Sequence, residues 1–230
     1  MPFLMNEERD CIKLISKTES ELIVRMESYT TIYKLADYEY EDRKSVFIGT
    51  AAPVKNEDEA LDFLAFVKKK YPDANHHVYA YVLRENSIMR FSDDREPQGT
   101  AGMPVLDAIR KNGCTDTAVV VVRYFGGTLL GTGGLVRAYS AAACGAIEHA
   151  QIITYDIYSK MEITVSYSDY QKLMPVLSEY GFRTDNTKYT DNVNLLGSIK
   201  QTKAQVFLKA ITDNTSGRAA TKVTEEIFDF

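Results

Sequence analysis

The chain has 230 residues, of which 45% are hydrophobic and 26% are charged, and its formal net charge is −5. This composition is typical of a globular protein; no apolar run approaches the ~20 residues of a membrane helix, and the acidic opening MPFLMNEERDCIKL lacks the apolar core of a secretory signal. The three widely spaced cysteines (Cys11, Cys114 and Cys144) predict neither a disulfide framework nor a zinc knuckle, so we expect a reducing cytoplasm.

The first part of the chain predicts an extension followed by strands. Residues 1–25 are polar and mixed in charge, and we treat them as an N-terminal extension. Tyr29–Leu35 and Ser45–Ala52 are rich in β-branched and aromatic residues, which predicts two strands joined by a turn. His76–Leu83 alternates in the manner of another strand, with Ser87–Phe91 as its hairpin partner.

The stretch KNEDEALDFLAFVKKKYP predicts a helix with defined ends. Asn56 is a suitable N-cap, and Glu59 stands three residues later, as in a capping box. Lys68–Lys70 are expected at the C-terminal end of the helix, where the negative end of the dipole favours cations, and Pro72 is expected to end the helix.

The middle of the chain combines an acidic loop with a central strand. Ser92–Gly102 is polar and acidic, and Pro104 suits the first turn of a helix that Gly113 ends. Thr117–Arg123 is apolar and β-branched, which predicts a central strand, and the small residues of Leu135–His149 predict a helix.

The last part of the chain predicts a second domain. After a connection near Thr154–Lys160, strand and helix patterns follow in the order β-α-β-β-α-β within about 70 residues, which is the ferredoxin-like plan. We therefore predict an α+β fold with domains at 26–155 and 156–230.

The most unusual stretch is RYFGGTLLGTGGLVRAYSAAA, which has five glycines in the nine positions from Gly126 to Gly134. It is not a Walker A loop, because Thr132 and Gly133 stand where lysine and a hydroxyl residue are required. It is not a dinucleotide fingerprint either, because Val136 occupies the position of the third glycine. Neither nucleotide-binding prediction is supported.

Two interpretations of this glycine segment remain open. A strand leads into it and a helix follows, so main-chain N–H groups open to solvent would form an anion site between two arginines. The candidate anion- or RNA-binding residues are Arg123, Tyr124, Gly126, Gly127, Gly131, Thr132, Gly133, Gly134 and Arg137. Alternatively, the glycines permit left-handed turns and close packing of helix against strand.

The acidic loop is a second candidate site. Asp93, Asp94 and Glu96 could hold Mg²⁺ and act on a phosphorylated small molecule, or they could cap a helix and hold a turn. The candidate residues of this loop are Ser92, Asp93, Asp94, Glu96, Gly99 and Thr100. His76 and His77 are further candidates, but neighbours on a strand point to opposite faces, so only one of them can reach a given site.

Three stretches together resemble the IMPACT/YigZ family: VVVVRYFGGTLLGTGGLVRAY, SDDREPQGTAGMPVL and HHVYAYVL. The resemblance covers about Tyr29 to Ala150, and the remainder is similar to the ferredoxin-like domain of bacterial members. It implies a first domain of the ribosomal-protein type, akin to domain IV of elongation factor G, and a second domain akin to that factor's domain V. This chain has Arg95 and Gln98 where the family commonly has glycine and serine, and His77 and Val78 where asparagine and cysteine are usual.

The same resemblance implies a function connected with translation. The eukaryotic member restrains a stress kinase that phosphorylates a translation initiation factor, by competing for the kinase's co-activator. For this chain the leading hypothesis is a cytoplasmic, non-enzymatic regulator of translation that binds RNA, the ribosome or a translation-related protein, with no cofactor, no membrane association and no sequence-specific DNA binding. The alternatives are a Mg²⁺-dependent enzyme and an interaction module without a ligand.

Overall fold

The computed structural model describes residues 28–84 and 87–230, which form an α+β protein with two antiparallel sheets. The described residues divide into two compact units, Tyr29–Thr154 and Tyr155–Phe230. The predicted N-terminal extension, residues 1–25, lies outside the described residues. In the described part of the chain, no helix is both long and apolar enough to cross a bilayer.

The first unit is built on one antiparallel sheet with the strand order β2-β3-β6-β4-β5. Its elements are β1 (Tyr29–Ile32), β2 (Ala36–Asp42), β3 (Ser45–Pro53), α1 (Glu57–Lys70), β4 (His76–Leu83), β5 (Ile88–Ser92), α2 (Gly102–Lys111), β6 (Thr117–Tyr124) and α3 (Gly131–His149). Helix α1 covers one face of the sheet, and α2 and α3 cover the other.

Strand β6 is central because its apolar run serves two cores. Val119 and Val121 pack beneath α2 and α3, whereas Val120 and Val122 pack beneath α1. Burial on both faces explains why the strand is continuously β-branched instead of alternating with polar residues. The prediction of a central strand here is confirmed.

The predicted ends of α1 are also confirmed. The Asn56 side chain accepts a hydrogen bond of 2.9 Å from the Glu59 N–H, and the Glu59 carboxylate accepts one of 2.7 Å from the Lys55 N–H. This pairing of side chains with otherwise free N–H groups fixes where the helix begins.

The prediction of one strand over Tyr29–Leu35 is confirmed only in part, because the strand ends at Ile32. The chain forms the short β1 and then a separate edge strand, β2, which pairs with β3. Ala36, Tyr38 and Tyr40 pack against the core, while the acidic residues between them face away from it. Acidic residues are poor strand formers, so the signal for this edge strand was the alternation of apolar and acidic residues with a period of two.

The turn between β2 and β3 is a two-residue hairpin with an unusual sequence. Arg43 and Lys44 occupy it with φ of 48° and 65°, and the flanking Asp42 and Ser45 are paired. Positive φ at both central residues is the requirement of a type I′ turn, for which Asn-Gly is favoured. The sequence instead places two cations at this tip, in a backbone conformation that costs about 1 kcal/mol per non-glycine residue.

Helix α3 begins four residues before the predicted Leu135. Gly131, Gly133 and Gly134 therefore belong to its first turn and not to the preceding loop. The first N–H groups of a helix have no partner within it, so a glycine there exposes main chain that a larger residue would cover.

The second unit is a four-stranded antiparallel arrangement in the order β10-β7-β9-β8. Its elements are β7 (Ile152–Val165), α4 (Tyr167–Tyr180), β8 (Arg183–Tyr189), β9 (Val193–Lys200), α5 (Gln201–Thr215) and β10 (Ala220–Asp229). The connection predicted near Thr154–Lys160 is wrong, because β7 runs through it; Tyr158 and Ser159 are buried, which explains why the strand continues there.

One ion pair ties the start of α4 to the segment before β10. Asp169 accepts two hydrogen bonds from Arg218, of 2.9 Å from Nε and 2.7 Å from Nη2, and its N–H donates to the N-cap oxygen of Ser166. The Arg218 guanidinium holds the pKa of Asp169 well below its usual range. The folded chain thus binds this proton more weakly than the unfolded chain does, so the contribution to stability is present at neutral pH and is lost as the pH falls below about 4.

We expect Asp169→Asn to remove this part of the acid dependence. The variant loses stability at neutral pH but little more at acid pH, so its stability curve is flatter than that of the unmodified chain between neutral and acid pH. Urea unfolding across that range measures the difference, with Asp185→Asn, an exposed aspartate on β8, as the matched control. Curves that stay parallel would contradict the assignment.

Candidate anion-binding site

A buried charge cluster lies where the acidic loop meets β6 and α3. Glu96 Oε1 accepts hydrogen bonds from Arg123 Nη1 at 2.6 Å and from the Tyr139 hydroxyl at 2.7 Å, and all three side chains are buried. His76 Nε2 is 3.8 Å from the same oxygen. Burial, reinforced by the Glu96 charge, raises the pKa of Tyr139, so its hydroxyl stays protonated and donates.

Arg123 is buried, whereas the predicted anion site requires an exposed arginine beside the glycines. The residue is only 6% exposed, and its guanidinium lies 5.4 Å and 5.6 Å from the ring centroids of Phe47 and Phe125. Among the described residues its buried Nε has no hydrogen-bond partner. The charge of Arg123 is balanced inside the protein by Glu96, so it adds little positive potential at the surface.

The side chain of Asp93 organises the second half of the acidic loop. Its carboxylate accepts hydrogen bonds from three main-chain N–H groups, those of Gly99, Ala101 and Gly102, at 2.9, 3.1 and 2.8 Å. The last two belong to the start of α2, which Asp93 therefore caps from outside the helix. Thr100 closes the same turn by donating to the Pro97 carbonyl at 2.6 Å.

Asp94 holds the other half of the loop against β4. Its Oδ2 accepts from the His77 N–H at 2.7 Å, and its own N–H donates to Ser92 Oγ at 3.2 Å. His76 Nδ1 lies 2.8 Å from the Asp94 carbonyl, which can only accept, so Nδ1 carries the proton. Both histidines thus contact the acidic loop, His76 through its ring and His77 through its main chain.

These contacts turn the three carboxylates of the loop toward different partners. In residues 28–84 and 87–230, no group of three His, Cys, Asp or Glu side chains is placed to hold a metal ion. Burial also raises the pKa of the Cys114 thiol to about 11, so it stays protonated at neutral pH.

The glycines of the segment Gly126–Gly134 divide into two groups. A Cβ on Gly126 would lie 2.0 Å from the main-chain carbon of Lys44, and one on Gly134 would lie 2.9 Å from Leu130 Cβ, so these two glycines permit close packing. Gly127 and Gly131 have φ of 82° and 70°, and a Cβ on either residue, or on Gly133, would meet nothing within 4 Å. These three line open space.

The main-chain N–H groups divide in the same way. Those of Phe125 and Gly126 already have partners, because they donate to Asn75 Oδ1 at 2.9 Å and to Ser45 Oγ at 3.1 Å. Farther along, Gly131–Gly133 are exposed, and α3 begins without a side-chain cap. The open donors that an anion needs are therefore at the start of α3 and not along the whole segment.

Three exposed cations accompany this helix start. Arg43 Nη1 donates to the Leu129 carbonyl at 3.3 Å, and the Lys44 main chain packs against Gly126. Arg137 follows Gly133 by one helical turn on the exposed face, and helical side chains lean toward the N-terminus. We call Arg43, Lys44 and Arg137 the cationic rim; none of them forms an ion pair with another described residue.

Of the residues predicted from sequence, the structure thus brings Gly127, Gly131, Thr132, Gly133 and Arg137 to one open surface. Tyr124 does not join this surface: its side chain packs with the cluster beneath α1, on the other face of the sheet, and its hydroxyl donates to Asp73 at 3.0 Å. Sequence reasoning missed Arg43 and Lys44, which the β2–β3 hairpin delivers, and also Asn75 and Tyr139. The alternation of β2 was the available signal for the hairpin, whereas nothing local marks Asn75.

Comparison with known proteins shows two family models and several relatives to which the chain is similar. Residues 43–147 match the family model of the Impact N-terminal domain, and residues 163–218 match a domain of unknown function, DUF1949. The chain is 33% identical to the IMPACT family member YvyE of Bacillus subtilis, over 87% of this chain and 93% of that protein. It is 31% identical to the IMPACT family member YigZ of Escherichia coli, over 81% and 93%.

Two further matches differ in extent. Protein IMPACT of Rattus norvegicus is 35% identical over 39% of this chain and 30% of its own length, so only part of that protein corresponds. A crystal structure described as that of a hypothetical protein has a TM-score of 0.54 at 30% identity and covers 87% of this chain and 98% of its own.

Proposed function

Because this chain belongs to the IMPACT family, we propose that it is a cytoplasmic, non-enzymatic regulator of translation that binds RNA phosphate at the start of α3. One observation carries the proposal: three exposed cations, which form no ion pair with any described residue, accompany an uncapped helix start whose glycines leave the main chain open. Because the chain has a net charge of −5, a surface that binds phosphate must be a local positive patch, and the cationic rim is such a patch.

The chemistry of this surface suits a phosphate group. The first N–H groups of a helix carry about half a positive elementary charge and point along the axis toward an anion. A Cβ would block the close approach of phosphate oxygens to main chain, and Gly131 and Gly133 carry none. The cationic rim attracts RNA at long range. Its contacts with phosphates neutralise the backbone charge and release counterions.

The architecture supports the same proposal. We assign the second unit to the ferredoxin-like plan, because its strands lie in the order β10-β7-β9-β8 with α4 and α5 on one core. We assign the first unit to the type of domain IV of elongation factor G, as the resemblance of its motifs implies. Domains of these two types occur in ribosome-associated proteins, which favours RNA over an acidic polypeptide as the ligand.

We expect Arg137→Gln to weaken RNA binding and to lower its salt dependence. Removing one phosphate contact changes the slope of log K against log salt by about 0.7 for single strands. Fluorescence anisotropy with a labelled oligouridylate measures both quantities, and Lys111→Gln on α2 is the control with the same change in net charge.

Two results would overturn the proposal. One is equal binding by the Arg137→Gln and Lys111→Gln variants and the unmodified chain. The other is displacement of the RNA by polyglutamate at concentrations at which polyuridylate fails, which would identify an acidic protein as the ligand.

A further inference from the structure

An exposed aromatic ring stands beside the proposed phosphate site. Phe125 directly follows β6, and half of its surface is exposed, at 50%. Single exposed apolar residues are ordinary at protein surfaces. This one differs from them in how firmly its main chain is held and in the charges that surround it.

The main chain of Phe125 is fixed on both sides. Asn75 accepts a hydrogen bond from the Phe125 N–H at 2.9 Å and donates its own N–H to the Arg123 carbonyl at 2.9 Å. On the other side, Gly126 is held by Ser45 Oγ and packs directly against the Lys44 main chain. The ring is thus presented to solvent from a rigid base, which keeps the entropy lost on binding small.

Cations stand on both sides of this base. Lys44 adjoins Gly126, and Arg95 reaches the Asn75 carbonyl with Nη2 at 3.4 Å while its side chain remains 79% exposed. Arg95 has φ of 70°, so the chain places a long cation here in a conformation that favours glycine. Asp94 Oδ1, at 3.8 Å from Arg95 Nε, is the neighbouring carboxylate and is itself bound to the His77 N–H through Oδ2.

We propose that Phe125, between Lys44 and Arg95, is a stacking site for an unpaired nucleobase, so that the RNA bound at the start of α3 is single-stranded at this point. Aromatic rings within cationic surroundings bind single strands because each base has a free face and the adjoining phosphates are neutralised. A base inside a duplex is already stacked on both faces and cannot reach the ring. This inference rests on the proposed function and adds the strandedness of its ligand.

The chain offers a direct probe, because it contains no tryptophan. Phe125→Trp introduces one at the ring, and we expect a single-stranded oligouridylate to quench its fluorescence while an RNA duplex of equal length leaves it unchanged. Phe125→Leu keeps an apolar side chain without the aromatic face and is expected to weaken single-strand binding about tenfold. Phe125→Tyr retains the ring and should bind as the unmodified chain does.

The outcomes separate this inference from the proposed function. If the unmodified chain binds RNA and Arg137→Gln weakens that binding, but the tryptophan does not respond and Phe125→Leu binds normally, then the stacking site is refuted and the phosphate site stands. A preference for duplex over single strand refutes it as well. Absence of RNA binding by the unmodified chain refutes both.

Discussion

Replacing Arg123 by methionine is expected to lower the free energy of unfolding by about 3–5 kcal/mol, the largest effect that we predict for a single side chain. Methionine fills much of the same volume between Phe47 and Phe125 but leaves the Glu96 carboxylate buried with only the Tyr139 hydroxyl as a neutral donor. A buried charge without its counter-charge is costly because it has lost water and gained no compensation.

A double-mutant cycle identifies the cause of that loss. Glu96→Gln alone leaves the Arg123 charge uncompensated, whereas combining it with Arg123→Met removes both charges. We therefore expect the double variant to be more stable than the sum of the two single effects allows, by about 2 kcal/mol or more. Urea unfolding at neutral pH measures all four proteins, and Tyr139→Phe, which removes one hydrogen bond to the Glu96 carboxylate but no charge, should cost less, about 2 kcal/mol. Additive single effects would show that the ion pair does not couple these residues.

The second large effect concerns the β2–β3 turn, where stability and binding are expected to change in opposite directions. Arg43→Asn with Lys44→Gly gives the turn the residues that a type I′ geometry favours. Relief of the left-handed strain should raise the free energy of unfolding by about 1 kcal/mol, even though the hydrogen bond from Arg43 to Leu129 is lost. RNA affinity should fall about tenfold, because two of the three cations of the rim are gone.

Both properties are measured on the same preparation, by thermal unfolding and by anisotropy with the labelled oligouridylate. Lys68→Gln with Lys69→Gln, on the last turn of α1, is the control for the loss of two positive charges. A turn variant that is more stable and binds RNA unchanged would show that Arg43 and Lys44 occupy the turn for a reason other than binding.

Much of the fold could be predicted because local signals agreed with one another. The continuous apolar run of β6, the Asn56 cap and the strand and helix order of the second unit each have a local cause in the sequence. Strand β2 was not predicted because its solvent-facing side chains are acidic. Strand β7 was predicted to begin too late because polar and apolar residues alternate in its first half.

The candidate site was less predictable because long-range contacts define it. The arginine nearest the glycines, Arg123, is neutralised by a glutamate 27 positions earlier in the chain, whereas Arg43 joins the site from a hairpin 86 positions before Leu129. The glycines themselves were visible in the sequence, but which of them pack and which line open space depends on the Lys44 main chain and on Leu130. Such pairings leave no local pattern.

The salt dependence of RNA binding by the unmodified chain tests the central claim most directly. If the three cations of the rim contact phosphates, the slope of log K against log salt for a single-stranded oligouridylate is about −2 or steeper. Absence of binding at low salt, or binding whose slope is near zero, would contradict the claim that this surface recognises the RNA backbone.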